Sequence, residues 1–269
     1  INNTVATPAA VSPTVIISGK DGRNISIPIV GMGLGCSSFA EFRTIANNLT
    51  ERTDQFLVEV IMRAIKLGVR FFDTAELYNN EELLGRAIMQ SGVNRSEFII
   101  STKVDDDKIP PGNVGADAIR LHVRDSVASS LRKLKTEYID FACIHHHNAP
   151  DMSKAGAAAD NESTRIEVAI RTLLELESEG VIRSLAPSQQ IEDGQLPLKP
   201  FSSLRWHHEH SLFDPDRLSM PDLSKEYSLG SIGTGQLNGF PDSLEILGSA
   251  HVHAIAKRVQ RTDAQVLFR

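Results

Sequence analysis

The stretch FFDTAELYNNEELLG, residues 71–85, predicts a strand that passes almost directly into a helix. Its apolar beginning ends at Asp73, Tyr78 follows, and EELLGRAIM at 81–89 has the spacing of a helix. Short apolar runs are typical of buried strands, whereas apolar residues three and four positions apart indicate an amphipathic helix. An aspartate and a tyrosine therefore stand at the carboxyl end of a predicted buried strand, where they serve either structure or chemistry.

The same alternation of short apolar runs and helical patterns continues along the chain. Strands are predicted at residues 29–35, 69–74, 98–104, 139–145, 181–187, 202–208 and 230–233. Helices are predicted at residues 54–68, 81–89, 115–134, 165–180, 243–259 and 262–269. The polar segment 147–163, after the fourth strand, predicts a flexible loop at the mouth of the active site.

Nearly continuous apolar strands separated by helices indicate a parallel sheet covered on both faces. Seven such units, at a spacing of about 35 residues, favour a single α/β domain over residues 1–269. Its predicted architecture is a parallel (β/α)8-type barrel with seven recognisable strands. A doubly wound open sheet is the alternative. GMGLGC at 31–36 does not support that alternative, because it lacks the full glycine spacing of a dinucleotide-binding fold and no capped helix follows it.

Composition narrows the classes of partner. The chain has 269 residues and a formal net charge of -6, without a run of lysine and arginine. A nucleic-acid or anionic-membrane partner is therefore not expected. Cys36 and Cys143 both lie in apolar, strand-like segments, which favours a reduced, cytoplasmic setting over a disulfide framework. Neither a signal peptide nor an apolar run of membrane-spanning length is apparent.

Four polar residues stand at or after the ends of successive predicted strands, where β/α barrels carry their chemistry. They are Asp73 and Tyr78 after the second strand, Lys103 at the end of the third and His145 at the end of the fourth. A phenol has a pKa of about 10. A nearby ammonium lowers this pKa, and a carboxylate can hold that ammonium in place. An imidazole beside the phenol can orient a substrate oxygen. Together the four predict a proton donor aimed at a carbonyl group.

In their order along the chain, the motifs resemble those of the aldo-keto reductase family. The matching segments are GMGLG (31–35), FFDTAELYNNEELLG (71–85), FIISTKV (98–104), LRKLKTEYIDFACIHHH (131–147) and LELESEGVIRSLAPSQQ (174–190). The resemblance runs from about residue 25 to the end of the sequence. It implies a β/α barrel that uses NADPH to reduce a ketone or an aldehyde, or that catalyses the reverse alcohol oxidation.

The resemblance also assigns roles to the four polar residues. Tyr78 corresponds to the general acid, and Lys103 to the residue that lowers the pKa of the phenol. Asp73 corresponds to the partner of the lysine, and His145 to the residue that orients the carbonyl. A small organic carbonyl compound is the implied substrate.

At the positions that bind the cofactor, the sequence departs from the family pattern. Ser188 and Gln189 stand where the family has a Ser-Asn pair that contacts the carboxamide. His207 falls where a glutamine is usual, and Thr234 aligns with the tyrosine that stacks on the nicotinamide. The resemblance therefore predicts a cofactor site built by Ser188, Gln189, His207 and Thr234.

The sequence stops at AQVLFR, within the helix that precedes the family's last strand. That strand and the basic loop that holds the adenosine 2′-phosphate lie beyond it. Losing several charge-assisted hydrogen bonds, each worth about 1.5–3 kcal/mol, would weaken NADPH binding by orders of magnitude. A redox-neutral isomerase, dehydratase or cyclase on the same scaffold is therefore the alternative function. An open barrel edge also suggests a second copy or another partner chain as its cover.

The histidines suggest a rival of another class. His145, His147, His207 and Glu209 lie near predicted strand ends, and alternate residues of a strand share a face, as metal ligands of barrel hydrolases do. Histidines at strand ends are often hydrogen-bonded rim residues, and the reductase motifs already account for His145. We therefore predict no metal site, and we interpret the acidic triplet at 105–107 as a solvated loop.

Overall fold

The structure is a computed structural model that describes residues 13–18, 24–35, 50–145, 157–185, 206–209, 230–233 and 248–267. Its strands are β1 (Thr14–Ser18), β2 (Asn24–Pro28), β3 (Gly31–Gly33), β4 (Phe71–Asp73), β5 (Ile99–Asp105), β6 (Ile139–His145), β7 (Ile182–Leu185), β8 (Trp206–Glu209) and β9 (Gly230–Gly233). Its α-helices are α1 (Thr50–Lys66), α2 (Glu81–Ser91), α3 (Ala116–Leu134), α4 (Ala157–Ser178), α5 (Ala250–Val259) and α6 (Asp263–Leu267). Among the helices in these ranges, none has the length and apolar character needed to cross a membrane.

Strands β3 to β7 form one parallel sheet whose spatial order is their order in the chain. A doubly wound sheet reverses its order at a switch point, whereas the strands of a β/α barrel follow one another around the sheet. In the described ranges, the strand order therefore favours the barrel over the doubly wound alternative. Strands β8 and β9 pair in parallel in a separate sheet.

The central strands β5 and β6 are buried on both faces. Helices cover one face, and the other face points toward the inside of the curved sheet. Ile100 and Val104 of β5 belong to the large apolar cluster that includes Leu57 and Ile61 of α1. Side chains alternate along a strand, so the intervening residues of β5 lie on the opposite face. We call this opposite face the inner face; on β5 it carries Ile99, Ser101, Lys103 and Asp105.

The amino end of the inner face is apolar and covered. Phe71 of β4, Ile99 of β5 and Phe141 of β6 form a small buried cluster with Ile27 of β2. Strand β2 pairs antiparallel with β1. The resulting hairpin packs Ile27 against this end of the sheet. The polar residues of the inner face therefore gather at the other end, where the strands finish.

Each of the seven predicted strands overlaps a strand of the structure. The prediction of a loop at 147–163 is wrong over 157–163, because helix α4 begins at Ala157. The alanines at 157–159 favour a helix, and this propensity outweighed the polar residues that suggested a loop. The hairpin of β1 and β2 was not predicted, although KDGRN at 20–24 carries the Asp-Gly signal of a tight turn.

A buried aspartate joins three strands near their amino ends. Asp140 of β6 is fully buried and accepts hydrogen bonds from Arg95 (2.7 Å), from Arg183 of β7 (3.0 Å) and from the backbone N–H of Ile100 (3.0 Å). The guanidinium groups of Arg95 and Arg183 lie 4.2 and 4.0 Å from the centroid of the Tyr138 ring. The single carboxylate thus accepts hydrogen bonds from two guanidinium groups and one backbone donor.

We expect Asp140→Asn to destabilise the fold, because a neutral amide brings no negative charge to the two guanidinium groups and turns its own N–H group toward one of the donors. The loss should be about 3 kcal/mol, the low end for breaking a buried ion pair, since Arg183 is partly in water. The denaturant midpoint measures it. Asp117→Asn is the control, since this side chain is 99% exposed and pairs with Arg120 on the helix surface. Equal midpoints for the two variants would contradict a structural role for Asp140.

Candidate active site

A buried ion pair joins two neighbouring strands at the carboxyl end of the inner face. The ammonium of Lys103 on β5 donates to both carboxylate oxygens of Asp73 on β4, at 2.8 and 2.7 Å, and to the backbone oxygen of Thr74 at 2.8 Å. All three ammonium protons therefore have an acceptor. Burial lowers the pKa of Lys103, but the charge and hydrogen bond of Asp73, together with the groups of Tyr78 and Cys143, outweigh that effect and hold the pKa above its ordinary value. Lys103 is thus charged at neutral pH.

Tyr78 stands beside this ion pair on the 3-10 turn Glu76–Tyr78, which follows β4. The ammonium nitrogen of Lys103 lies 5.2 Å from the centroid of the phenol ring. The phenol oxygen of Tyr78 lies 3.4 Å from Nε2 of His145, the last residue of β6. The two rings meet edge to face, with centroids 5.2 Å apart and an angle of 87° between their planes. The structure therefore brings Asp73, Tyr78, Lys103 and His145 together.

The electrostatic balance at Tyr78 differs from the expectation that Lys103 lowers the pKa of the phenol below its ordinary value. Burial raises that pKa, the Lys103 charge lowers it, and the Asp73 carboxylate raises it again, so that the net direction is upward. The Lys103 charge does act in the expected direction, but burial and the Asp73 carboxylate, which the sequence pattern does not reveal, outweigh it. The phenol is therefore neutral at pH 7, which is the form that can donate a proton.

Two side chains hold the segment that carries Tyr78, and sequence reasoning missed both. Thr74 donates a hydrogen bond of 2.6 Å to the amide oxygen of Asn80. The amide nitrogen of Asn80 donates one of 2.9 Å to the backbone oxygen of Leu34, just after β3. Asn79 between them is left-handed, with φ 52°, a conformation that asparagine adopts more easily than most residues. The sequence signal was the Asn-Asn pair at 79–80.

Gly35 marks a close approach between the backbone after β3 and the phenol. A Cβ added at Gly35 would overlap the ring of Tyr78, whereas one added at Gly33 would meet no atom within 4 Å. Any larger residue at 35 would push the phenol from its place. Sequence reasoning interpreted Gly35 as part of a strand motif and did not connect it with Tyr78.

The predicted cofactor residues remain a prediction. Ser188, Gln189 and Thr234 lie outside the described residues. The backbone of His207 belongs to β8, where it pairs with Ser231 of β9.

The interpretation of the acidic triplet at 105–107 as a solvated loop is wrong for two of its three residues. Asp105 ends β5 and is buried, and Asp106 is buried in an ion pair of 2.6 Å with Arg165 of α4, while Asp107 is exposed. Within the described part of the chain, no three histidine, cysteine, aspartate or glutamate side chains lie close enough to hold one metal ion.

Parallel strands whose carboxyl ends bring together a phenol, an ammonium, a carboxylate and an imidazole have the arrangement of a β/α-barrel active site. Residues 32–193 match the model of the aldo/keto reductase family. The chain therefore belongs to the aldo/keto reductase family.

Individual relatives and solved structures agree with this assignment. The methylglyoxal reductase DkgB of Yersinia pestis is 34% identical over 126 residues, which are 45% of this chain and 36% of that protein. An aldo-keto reductase of Mycolicibacterium vanbaalenii is 28% identical over 98% of this chain and 79% of that protein. The crystal structure of MGS-M4, an aldo-keto reductase from a deep-sea metagenome library, covers 94% of this chain and 79% of that one, with a TM-score of 0.69 and 19% identity.

These comparisons confirm the predicted fold class, an α/β protein of the parallel β/α-barrel type. The alignment with the Yersinia pestis protein spans little more than a third of that relative, although the one with the Mycolicibacterium vanbaalenii protein spans most of its length.

The neutral state of Tyr78 can be tested by titration. We expect its pKa to lie above the ordinary value of about 10, because burial favours the uncharged phenol. A pH jump that records tyrosinate absorbance before unfolding, with the signal of Tyr78→Phe subtracted, measures it. By linkage, the stabilisation from the neutral phenol is present below the unfolded pKa and is lost as pH rises through the raised folded value. A pKa at or below 10 would contradict the geometry.

Gly35→Ala should displace Tyr78, whereas Gly33→Ala should not. Forcing a methyl group into a packed site costs about 1–3 kcal/mol, so the thermal midpoint should fall for Gly35→Ala. With 3-fluorotyrosine incorporated, the 19F resonance of Tyr78, assigned through Tyr78→Phe, should move in Gly35→Ala and stay in place in Gly33→Ala. The same spectrum for both variants would show that residue 35 does not bear on the phenol.

Proposed function

We propose that this protein is a carbonyl reductase that converts an aldehyde or ketone to an alcohol with NADPH. One observation carries the proposal: the neutral phenol of Tyr78 lies near both the buried ammonium of Lys103 and the imidazole of His145. A proton donor with a cation and a polar ring beside it is suited to protonating a carbonyl oxygen.

The donor set fits a hydride-transfer reaction, because the site supplies a proton and needs a hydride from elsewhere. When bound, NADPH supplies that hydride to the carbonyl carbon. Ser188, Gln189, His207 and Thr234 are the residues that we propose to hold it, from their positions in the family pattern.

The proposed chemical step uses Tyr78 as general acid. As the carbonyl carbon is reduced, negative charge develops on the substrate oxygen, and the phenol proton passes to that oxygen. The tyrosinate left behind is stabilised by the ammonium of Lys103, whose charge lowers the pKa of the phenol against the effect of burial. Asp73 keeps the ammonium in place through two hydrogen bonds. Solvent then returns a proton to Tyr78.

His145 is proposed to orient the substrate. Its Nε2 lies within 3.4 Å of the phenol oxygen, so a carbonyl oxygen that accepts the proton of Tyr78 also comes within reach of the imidazole. A neutral imidazole that donates from Nε2 would hold that oxygen in the line of the phenol proton. The role is one of orientation, while the proton comes from Tyr78.

The substrate class is proposed from the relatives. The Yersinia pestis relative is a methylglyoxal reductase, and we propose a small aldehyde or ketone of this kind as the first compound to test. A cytoplasmic location, a single domain over residues 1–269 and association with a second copy remain proposals from the sequence.

Tyr78→Phe should lower kcat for methylglyoxal reduction by about 10²- to 10⁴-fold, because it removes the general acid. The fall in NADPH absorbance at 340 nm measures the rate. Tyr138→Phe is the matched control, since the Tyr138 hydroxyl is buried without a hydrogen-bond partner among the described residues and lies near the amino end of β6. Equal rates for wild type and Tyr78→Phe would rule out the proposed acid.

The redox-neutral alternative is tested with NADPH that carries deuterium at C4 of the nicotinamide. Carbonyl reduction predicts that mass spectrometry finds one deuterium on the carbinol carbon of the product. An isomerised or dehydrated product without deuterium, formed equally well without NADPH, would favour the alternative, which keeps Tyr78, Lys103 and His145 as acid–base groups.

A further inference from the structure

We propose that Glu76 is a positioning residue that fixes the phenol of Tyr78 relative to the ammonium of Lys103. The inference rests on the proposed function in one respect, the role of Tyr78 as proton donor. Neither the motifs nor the family comparison assigns a role to Glu76.

Glu76 begins the 3-10 turn that carries Tyr78, and its carboxylate reaches away from the turn to three donors. Oε2 accepts a hydrogen bond from the backbone N–H of Asp105 at 3.1 Å and from the hydroxyl of Ser126 at 2.7 Å. Oε1 accepts one from the ammonium of Lys108 at 3.0 Å. These donors belong to the end of β5, to helix α3 and to the turn between them, so one side chain connects the phenol-bearing turn with three separate parts of the fold.

The backbone of the turn makes few hydrogen bonds of its own. Its backbone contributes the hydrogen bonds from Tyr78 N–H to Ala75 O (3.1 Å) and from Asn79 N–H to Glu76 O (3.2 Å). Neither end of the turn has a side-chain cap. A 3-10 helix this short has poor hydrogen-bond geometry and takes its position from the contacts of its side chains. The Thr74–Asn80 hydrogen bond joins the two ends of the segment. Glu76 connects the middle of the segment to the rest of the fold.

The hydrogen bond from Asp105 is the contact that connects Glu76 with the strand of Lys103. Asp105 lies two residues after Lys103 on β5, so both residues move with the same strand. A hydrogen bond from this strand to Glu76 therefore sets the distance between the strand that carries the ammonium and the turn that carries the phenol. In catalytic sites a misplacement of about 1 Å can cost a hundredfold in rate.

The charge state of Glu76 suits this role. Its side chain is 14% exposed. Burial alone raises the pKa of Glu76, but the hydrogen bonds from Ser126, Asp105 and Lys108, with the charge of Lys108, outweigh it and hold the pKa below its ordinary value. An ionised carboxylate offers four lone pairs to these donors. An amide in its place would point its own N–H groups at one of the donors, which cannot accept a hydrogen bond from it.

The test compares Glu76→Ala and Glu76→Gln with Glu82→Ala, an exposed glutamate on α2, as the control. At a temperature well below all thermal midpoints, Glu76→Ala should lower kcat by about 10- to 100-fold, while KM changes by less than about twofold. The protein has three tyrosines, so 3-fluorotyrosine gives a resolvable 19F spectrum. The Tyr78 resonance should broaden and move toward that of solvent-exposed tyrosine in Glu76→Ala, to a smaller extent in Glu76→Gln, and not at all in Glu82→Ala.

Ser126→Ala and Lys108→Met provide milder variants if Glu76→Ala does not fold. Each removes one donor and should lower kcat by a few-fold, with a matching, smaller shift of the Tyr78 resonance. Unchanged kcat and an unchanged Tyr78 resonance in folded variants would show that Glu76 contributes to stability alone. A wild-type protein without reductase activity would overturn the proposed function, and the 19F comparison would then still decide whether Glu76 positions Tyr78.

Discussion

The candidate active site depends on a buried ion pair between two neighbouring parallel strands. Lys103 places a full positive charge on the inner face, and the residue is only 4% exposed. An unpaired ammonium would be costly to bury there. Asp73 and the backbone oxygen of Thr74 accept all its protons. The pair therefore requires β4 and β5 to be adjacent and in register, which makes the geometry of the sheet a condition for the site.

The remaining residues are arranged around this pair. The phenol of Tyr78 rests beside the ammonium, with His145 on one side and the backbone of Gly35 on another. Burial keeps the phenol protonated, and the ammonium limits the cost of losing that proton. These opposing influences suit a proton donor. A phenol with a low pKa would already be deprotonated at neutral pH, whereas a phenol without the ammonium would have a pKa too high to transfer its proton readily.

The sequence predicted the features that local patterns encode. It did not predict the features that depend on contacts between residues far apart in the chain. The strands around Phe72, Ile100 and Phe141 were predictable because their apolar runs are short and bounded by turns. The order of Asp73, Tyr78, Lys103 and His145 along the chain was enough to predict that they meet, since parallel strands end at one edge. The raised pKa of Tyr78 and the burial of Asp106 depend on neighbours far away in the sequence, and no local pattern encodes them.

The central claim is that Lys103 acts on catalysis through Tyr78. A double-mutant cycle on kcat with Lys103→Met and Tyr78→Phe tests it most directly, because groups that act as a unit show strongly non-additive losses. The account predicts that Lys103→Met lowers kcat markedly in the wild-type background and has almost no further effect once Tyr78 is phenylalanine. Losses that multiply independently would mean that the ammonium and the phenol do not work together.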